Sequence, residues 1–229
     1  MELLHNGFTL ELSSGAFPLS TDSIALSGFV KLPRNANVLD LGSDCGTLGL
    51  LLCAKDDTCT VTGVELDEDA HNMALHNART NGISHRLSSI CTDVRAIPSL
   101  LEPGSFSVCV SNPPYFSAGP KSLTAATARC EDTLPLKELF QAAARCLKYG
   151  GDFFLVHRPE RLAQLCYLGA QNRLEPKRLC LLRHKSDGPV SLILLQLRKG
   201  AKPGLSWEEA ALFHPSGEPT QYYKLLYHI

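Results

Sequence analysis

From Asn37 onward, short β-branched apolar runs take turns with longer helix-like stretches. The stretches Asn37 to Leu41, Thr60 to Val64, Leu87 to Cys91, Phe106 to Val110 and Asp152 to Val156 read as strands, and Leu48 to Ala54, Asp67 to Asn81 and Leu136 to Leu147 as helices. The apolar runs are too short for helices and end in Gly, Asp, Asn or Pro, which is strand punctuation. Parallel neighbours need a crossover connection, usually a helix, so this alternation predicts a parallel sheet covered on both faces. A helix at about Arg161 to Leu168 follows, then strands Arg178 to Leu182 and Ser191 to Leu197, separated by His184-Lys-Ser-Asp-Gly-Pro189. That spacer suits an antiparallel hairpin at the sheet edge. The expected fold is therefore α/β, a doubly wound, mostly parallel seven-stranded sheet with an antiparallel C-terminal hairpin. Proline and glycine near Lys202-Pro-Gly204 and Pro215 to Pro219 predict an irregular tail.

At 229 residues, 44% hydrophobic and 20% charged, the chain is expected to be a single domain over 1–229 with one sizeable core. The start, MELLHNGFTLEL, lacks a basic segment leading into an apolar one, and no run approaches the ~18 apolar residues of a membrane span. A cytoplasmic location with no membrane partner is the expectation. Nine cysteines form no CxxC, and the closest two, Cys53 and Cys59, are six positions apart. They read as ordinary thiols of a reducing compartment. Eight histidines contain no HExxH, although His71 and His76 share a predicted helix, so no metal is expected. The expected state is a monomer or a weak homodimer. Net charge is only -1, yet residues 1–120 hold 6 Lys and Arg against 13 Asp and Glu, which leaves the second half basic. The plain reading is a solvated surface. The sharper one is a phosphate-binding face made from Arg158, Arg161, Lys177, Arg178, Arg183 and Lys185.

Ligands of open α/β sheets sit at the carboxyl ends of strands. After the first core strand comes Asp40-Leu-Gly-Ser-Asp-Cys-Gly46. Gly42 permits a tight turn and close backbone approach, and Gly46 opens a helix whose N-terminal amides face the crevice. The spacing is not GxGxxG, and no GxxxxGK[ST] occurs, which argues against a nicotinamide enzyme or a phosphate-loop nucleotidase. Glu65, 23 positions after Gly42, ends the second strand beside Leu66 and is suited to accept from both hydroxyls of a ribose. It reads equally as a strand-end acid next to the capping residues Asp67 and Asp69. Asp93, next to Val94 after the third strand, could accept from an adenine amino group. The fourth strand stops in Ser111-Asn-Pro-Pro-Tyr-Phe116, where two prolines stiffen the turn and hold the adjoining groups extended.

Together these segments resemble class I, Rossmann-like S-adenosylmethionine-dependent methyltransferases. VLDLGSDCGTLGL is similar to their first cofactor motif, GVELDEDAHNMALHNARTNG to the second, and Asn112-Pro-Pro-Tyr115 to the NPPY signature of the amino-group enzymes. The likeness is closer to the bacterial family that methylates N6 of adenine-37 in a valine tRNA. It extends over TDSIALSGFV, LKYGGDFFLVHRPERL, LEPKRL, LRKGAKPGL and GEPT. The resemblance implies S-adenosylmethionine as cofactor, held by Thr21, Asp22, Asp40, Gly42, Gly46, Glu65, Leu66, Asp93, Val94 and Asn112. It implies a 1–36 segment covering the cofactor, a cofactor-binding half over 37–115 and a substrate-side half over 116–229. It also implies tRNA as partner, and Asn112, Pro113 and Tyr115 as catalytic residues. Asn112 and the Pro113 carbonyl would accept the two amine N–H bonds, and Tyr115 would stack on the flipped base. Pro114, Phe116, Arg129, Arg158, Lys177 and Arg178 are the expected substrate contacts. Thr21 and Asp22 read also as an N-cap for the helix Ile24 to Val30.

Three features qualify the likeness. Arg129-Cys-Glu131 stands where the family has Arg-His-Glu, within a segment 116–127 rich in Ser, Ala and Gly that reads as a mobile lid. Asp44 stands where the family usually has glycine, so its side chain would crowd the methionine portion of the cofactor, bond its ammonium or cap the next helix; weaker affinity is expected. Only 37 residues precede Val38, too few for the helical domain of the enzymes that methylate glutamine in release factors. Alternatives are methylation of ribosomal RNA or another amino group, and a non-catalytic RNA- or protein-binding fold weakened by Asp44.

Overall fold

A computed structural model describes residues 2–14, 19–115 and 135–229. The N-terminal part pairs β1 (Glu2–Leu3) antiparallel with β2 (Thr9–Leu10) and continues into helix α1 (Thr21–Phe29). The sheet region follows as β3 (Asn37–Leu41), α2 (Thr47–Lys55), β4 (Thr60–Glu65), α3 (Glu68–Thr80), β5 (Leu87–Cys91), α4 (Ile97–Leu100), β6 (Phe106–Ser111), α5 (Leu136–Cys146), β7 (Leu147–His157), α6 (Leu162–Gln171), β8 (Leu174–Lys185), β9 (Val190–Lys199), β10 (Ser206–Phe213) and α7 (Gln221–Tyr227).

The strand order is β10-β8-β9-β7-β6-β3-β4-β5. Strands β3 to β7 run parallel, β9 is antiparallel to both β7 and β8, and β10 returns parallel to β8. The doubly wound sheet and its antiparallel hairpin are as expected, but the strand count is eight. The added strand, Ser-Trp-Glu-Glu-Ala-Ala-Leu-Phe, lies in the expected irregular tail; it carries no apolar alternation and has Pro and Gly on both flanks. Tertiary partners make it a strand: it pairs with β8 from Ser206↔Arg178 to Phe213↔Lys185, and Glu208 and Glu209 meet Arg178 and Arg183.

Side-chain alternation along the strands divides the core between the two faces of the sheet. Phe154 and Val156 of β7 face α1 and α2, whereas Phe153 and Leu155 face α5 and α6. Chain order reverses between β3 and β6, which are hydrogen-bonded neighbours, and the crevice beyond their carboxyl ends is the place for a ligand. Caps fix where the helices around it begin. Ser20 accepts from the Ser23 N–H at the start of α1, and Asp67 accepts from the Ala70 N–H at the start of α3. The N-terminal cap expected of Thr21 and Asp22 thus belongs to their neighbour Ser20.

Candidate active site

The loop after β3 turns through three residues with positive φ, Gly42 at 76°, Asp44 at 49° and Gly46 at 81°. Gly42 and Ser43 both donate their N–H to the Val64 carbonyl at 3.0 Å, which staples the loop to the end of β4. Gly46 is the N-cap of α2, and a Cβ there would stand 3.2 Å from the Ala74 Cβ, so glycine is required by both conformation and space. Asp40 is fully buried, and its pKa is pushed up to about 8, first by burial and then by the neighbouring Glu65 and Asp44 carboxylates. Among the described residues neither Asp40 oxygen has a well-formed partner, and the buried Ser43 hydroxyl has none either. Orphaned buried oxygens cost free energy unless something fills their need. Three of them beside a glycine turn fit a polar, cationic ligand such as an amino-acid ammonium.

Glu65 closes β4 with its carboxylate turned back on the loop. Its Oε2 accepts from the Asp44 N–H at 2.8 Å, and Oε1 accepts from the Leu66 and Asp67 N–H groups at 2.9 Å each. Three of about four lone-pair positions are therefore in use, leaving room for one ribose hydroxyl without rearrangement. Leu66 is exposed beside it, and Val94 is buried. Asp93 caps the turn after β5, accepting from the Arg95 N–H at 2.8 Å, and is gripped through both oxygens by Arg95 Nε at 2.9 Å, which holds its carboxyl below the usual range. An adenine amino group could reach Asp93 only as Arg95 gives way.

At the end of β6 the Asn112 amide is oriented from both sides. Its Nδ2 donates to Ser23 Oγ at 3.1 Å, and its Oδ1 accepts from the Tyr115 hydroxyl at 2.7 Å. The Tyr115 hydroxyl also meets Asp22, and burial holds its pKa well above the usual phenol range. The ring packs 5.1 Å from His157, with the Arg158 guanidinium 5.4 Å from its centroid. Thr21 contacts Tyr227 of α7 through its hydroxyl at 3.4 Å. Pro113 is buried and Pro114 half-buried. The structure thus brings Asp22, Asn112, Tyr115 and Arg158 into one cluster, with Thr21 beside Asp22 in the chain.

The remaining substrate-side residues are placed elsewhere. In the ladder Arg178 pairs with Gln196, which pairs with Phe154, three residues short of the β7 end that carries His157. Arg178 lies over the Phe29 ring at 4.2 Å and bonds the Phe29 carbonyl, Gln196 and Glu208; Lys177 donates to the Lys202 carbonyl. Both therefore sit away from Asn112. Phe116 and Arg129 lie outside the described residues, as does the segment read as a lid.

Ser23, Asn77 and His157 were not singled out from the sequence. Ser23 orients the Asn112 amide across 89 residues of chain, and Asn77 bonds Glu11 and the Cys45 carbonyl, tying the N-terminal segment to the loop after β3. His157 is fully buried against Tyr115. Their positions inside TDSIALSGFV, the second motif and VHRPERL were the available signal.

Residues 22–165 match the family model described as methyltransferase small domain. The chain belongs to this family. The tRNA1(Val) (adenine(37)-N6)-methyltransferase of Photobacterium profundum is 28% identical over 204 residues, covering 87% of this chain and 85% of the relative. The one from Shewanella halifaxensis is 32% identical over 160 residues, covering 69% and 65%. Among solved structures, a predicted O-methyltransferase from Agrobacterium tumefaciens superposes with a TM-score of 0.76 at 18% identity, covering 91% of this chain and 96% of that one. A geranyl diphosphate methyltransferase solved with S-adenosylmethionine gives a TM-score of 0.57 at 14% identity, covering 86% and 100%. These neighbours share the fold of this methyltransferase. No helix among the described residues is long and apolar enough to cross a membrane.

Proposed function

We propose that this methyltransferase uses S-adenosylmethionine to methylate N6 of an adenine in cytoplasmic tRNA, with the adenine-37 position named for its relatives as the first candidate. The observation that carries the reading is the Asn112 amide. Donation from Nδ2 to Ser23 leaves Oδ1 as the group presented toward Tyr115, an acceptor as an amine substrate requires.

An exocyclic amine conjugated to a purine is a weak nucleophile. Asn112 Oδ1 and the Pro113 carbonyl accept its two N–H bonds, pulling the nitrogen toward tetrahedral geometry and localising its lone pair. Bound S-adenosylmethionine supplies a methyl group on an electron-poor sulfonium. Asp40, Ser43, the Gly42–Gly46 turn and Glu65 are the residues that would hold it. Tyr115, once its hydroxyl leaves Asn112, offers a ring on which the flipped base stacks. No strong base is required, because the methylated ammonium is very acidic. Alignment supplies the acceleration.

The test is transfer of labelled methyl from S-adenosylmethionine to total tRNA, followed by nucleoside mass spectrometry. Wild type is expected to produce N6-methyladenosine, and Asn112→Ala to lose about 10²-fold or more in rate. Equal incorporation by the two proteins defeats the assignment.

A further inference from the structure

His157 presents an unfilled hydrogen bond behind the catalytic tyrosine. The side chain is fully buried at the carboxyl end of β7, level with Ile193 of β9. Its Nδ1 accepts from the Arg158 backbone N–H at 2.8 Å, which places the proton of the neutral ring on Nε2. Burial, with the nearby Arg161 charge, lowers its pKa to about 4, so the ring stays neutral at physiological pH. Nε2–H is thus a donor of fixed identity, and it is buried without a partner among the described residues. Tyr115 packs against this ring at 5.1 Å, and its hydroxyl occupies the oxygen of Asn112 that the target amine needs. A base that displaces Tyr115 from Asn112 therefore also shifts the ring packed on His157.

We infer that His157 Nε2–H donates to N1 of the target adenine and is the residue that selects this base at the Asn112 clamp. This rests on the adenine reading above. Enzymes that flip a base read its Watson–Crick edge. On adenine that edge pairs an amine donor with a ring-nitrogen acceptor, so an acceptor at Asn112 beside a donor at His157 is its complement. Guanine presents an N–H at N1 and would leave two donors facing each other. The arrangement also gives the orphaned Nε2–H its partner in the complex, and explains why a buried donor persists unpaired without substrate. Arg158 contributes through its backbone by fixing the tautomer.

The test uses valine-tRNA anticodon stem-loops carrying adenine, 1-deazaadenine or 7-deazaadenine at the target position, with wild type, His157→Phe and His157→Gln. The amine of 1-deazaadenine is no poorer a nucleophile, so a loss with it reports recognition. For wild type, 1-deazaadenine is expected to lower kcat/KM by about tenfold or more. In His157→Phe, which keeps a ring but lacks the N–H, the same substitution should cost less than about threefold. His157→Gln, which retains a donor, should recover part of the discrimination. The 7-deaza substrate should affect all three proteins alike. A role confined to packing would lower activity on every substrate equally and leave the 1-deaza penalty unchanged in His157→Phe, which overturns the inference. So does an absent 1-deaza penalty in wild type, a measurement independent of whether any variant folds. Absence of transfer to the adenine stem-loop itself overturns the functional reading and this inference together.

Discussion

Asp44 occupies a backbone region, φ 49°, where a Cβ meets the following carbonyl and most side chains are disfavoured by roughly 1–2 kcal/mol. Aspartate tolerates it better than most residues other than glycine. The conformation serves a purpose, since it delivers the Asp44 N–H to Glu65 Oε2 and so ties the loop to the end of β4. The side chain adds a third acid next to Asp40 and Glu65, and its charge contributes to the raised Asp40 pKa. Asp44→Gly keeps the turn and removes both the bulk and the charge, so calorimetric titration should show S-adenosylmethionine binding several-fold more tightly. Asp44→Asn separates the causes. It keeps size and backbone preference, so a gain equal to that of glycine assigns the effect to charge, while a gain confined to glycine assigns it to crowding. No gain in either variant means that Asp44 is not a handicap. The helix-capping role does not fall to it, because Gly46 is the N-cap of α2.

At the scale of elements, α3 is the member that joins the N-terminal segment to the loop after β3. Its Asn77 is buried, accepts from the Glu11 N–H at 2.9 Å and donates to the Glu11 and Cys45 carbonyls at 2.8 and 3.0 Å. One turn later Asn81 makes the same reciprocal pair with Thr9 at 2.8 Å. Asn77→Ala leaves an amide and two carbonyls unmatched where water has little access. It should cost about 2–4 kcal/mol in urea denaturation and weaken cofactor binding through the loosened Cys45–Gly46 junction. An unchanged unfolding midpoint would remove α3 from this role. The contact also marks where sequence reading ends. The parallel strands were legible because each is a β-branched run closed by turn residues, and Gly42, Gly46 and Glu65 because fixed spacing puts them at strand ends. Asn77 and Ser23 were not, since their work depends on partners 66 and 89 residues away. Strand β10 was hidden for the same reason, its glutamates being stabilised by arginines of β8 that no local pattern brings near.

For the molecule as a whole, the question raised by the uneven charge is which cations are available to a polyanion. Folding divides the six basic candidates. Arg178 has its guanidinium over Phe29 and bonds to Gln196 and Glu208, and Arg183 bonds to the Gly188 carbonyl and Glu209. These two hold β8 to β9 and β10 and stabilise the C-terminal half of the sheet. Arg158 differs in degree: it is exposed just past the carboxyl end of β7, above Tyr115, with a single guanidinium bond among the described residues, to the Ser191 carbonyl, on the rim that a flipped nucleotide would cross in the proposed reaction. A phosphate contact there adds affinity that falls with salt, whereas a strut adds stability that does not. Arg158→Ala should therefore weaken tRNA binding, lower the slope of log K against log salt by about 1, and leave the unfolding midpoint nearly unchanged. Arg178→Ala should do the reverse, lowering the midpoint through lost packing and three unmatched acceptors while keeping the wild-type salt slope. A salt slope that drops in Arg178→Ala and stays constant in Arg158→Ala would move the RNA path off the rim of Tyr115 and onto the outer strands, where β10 would then be part of the binding face.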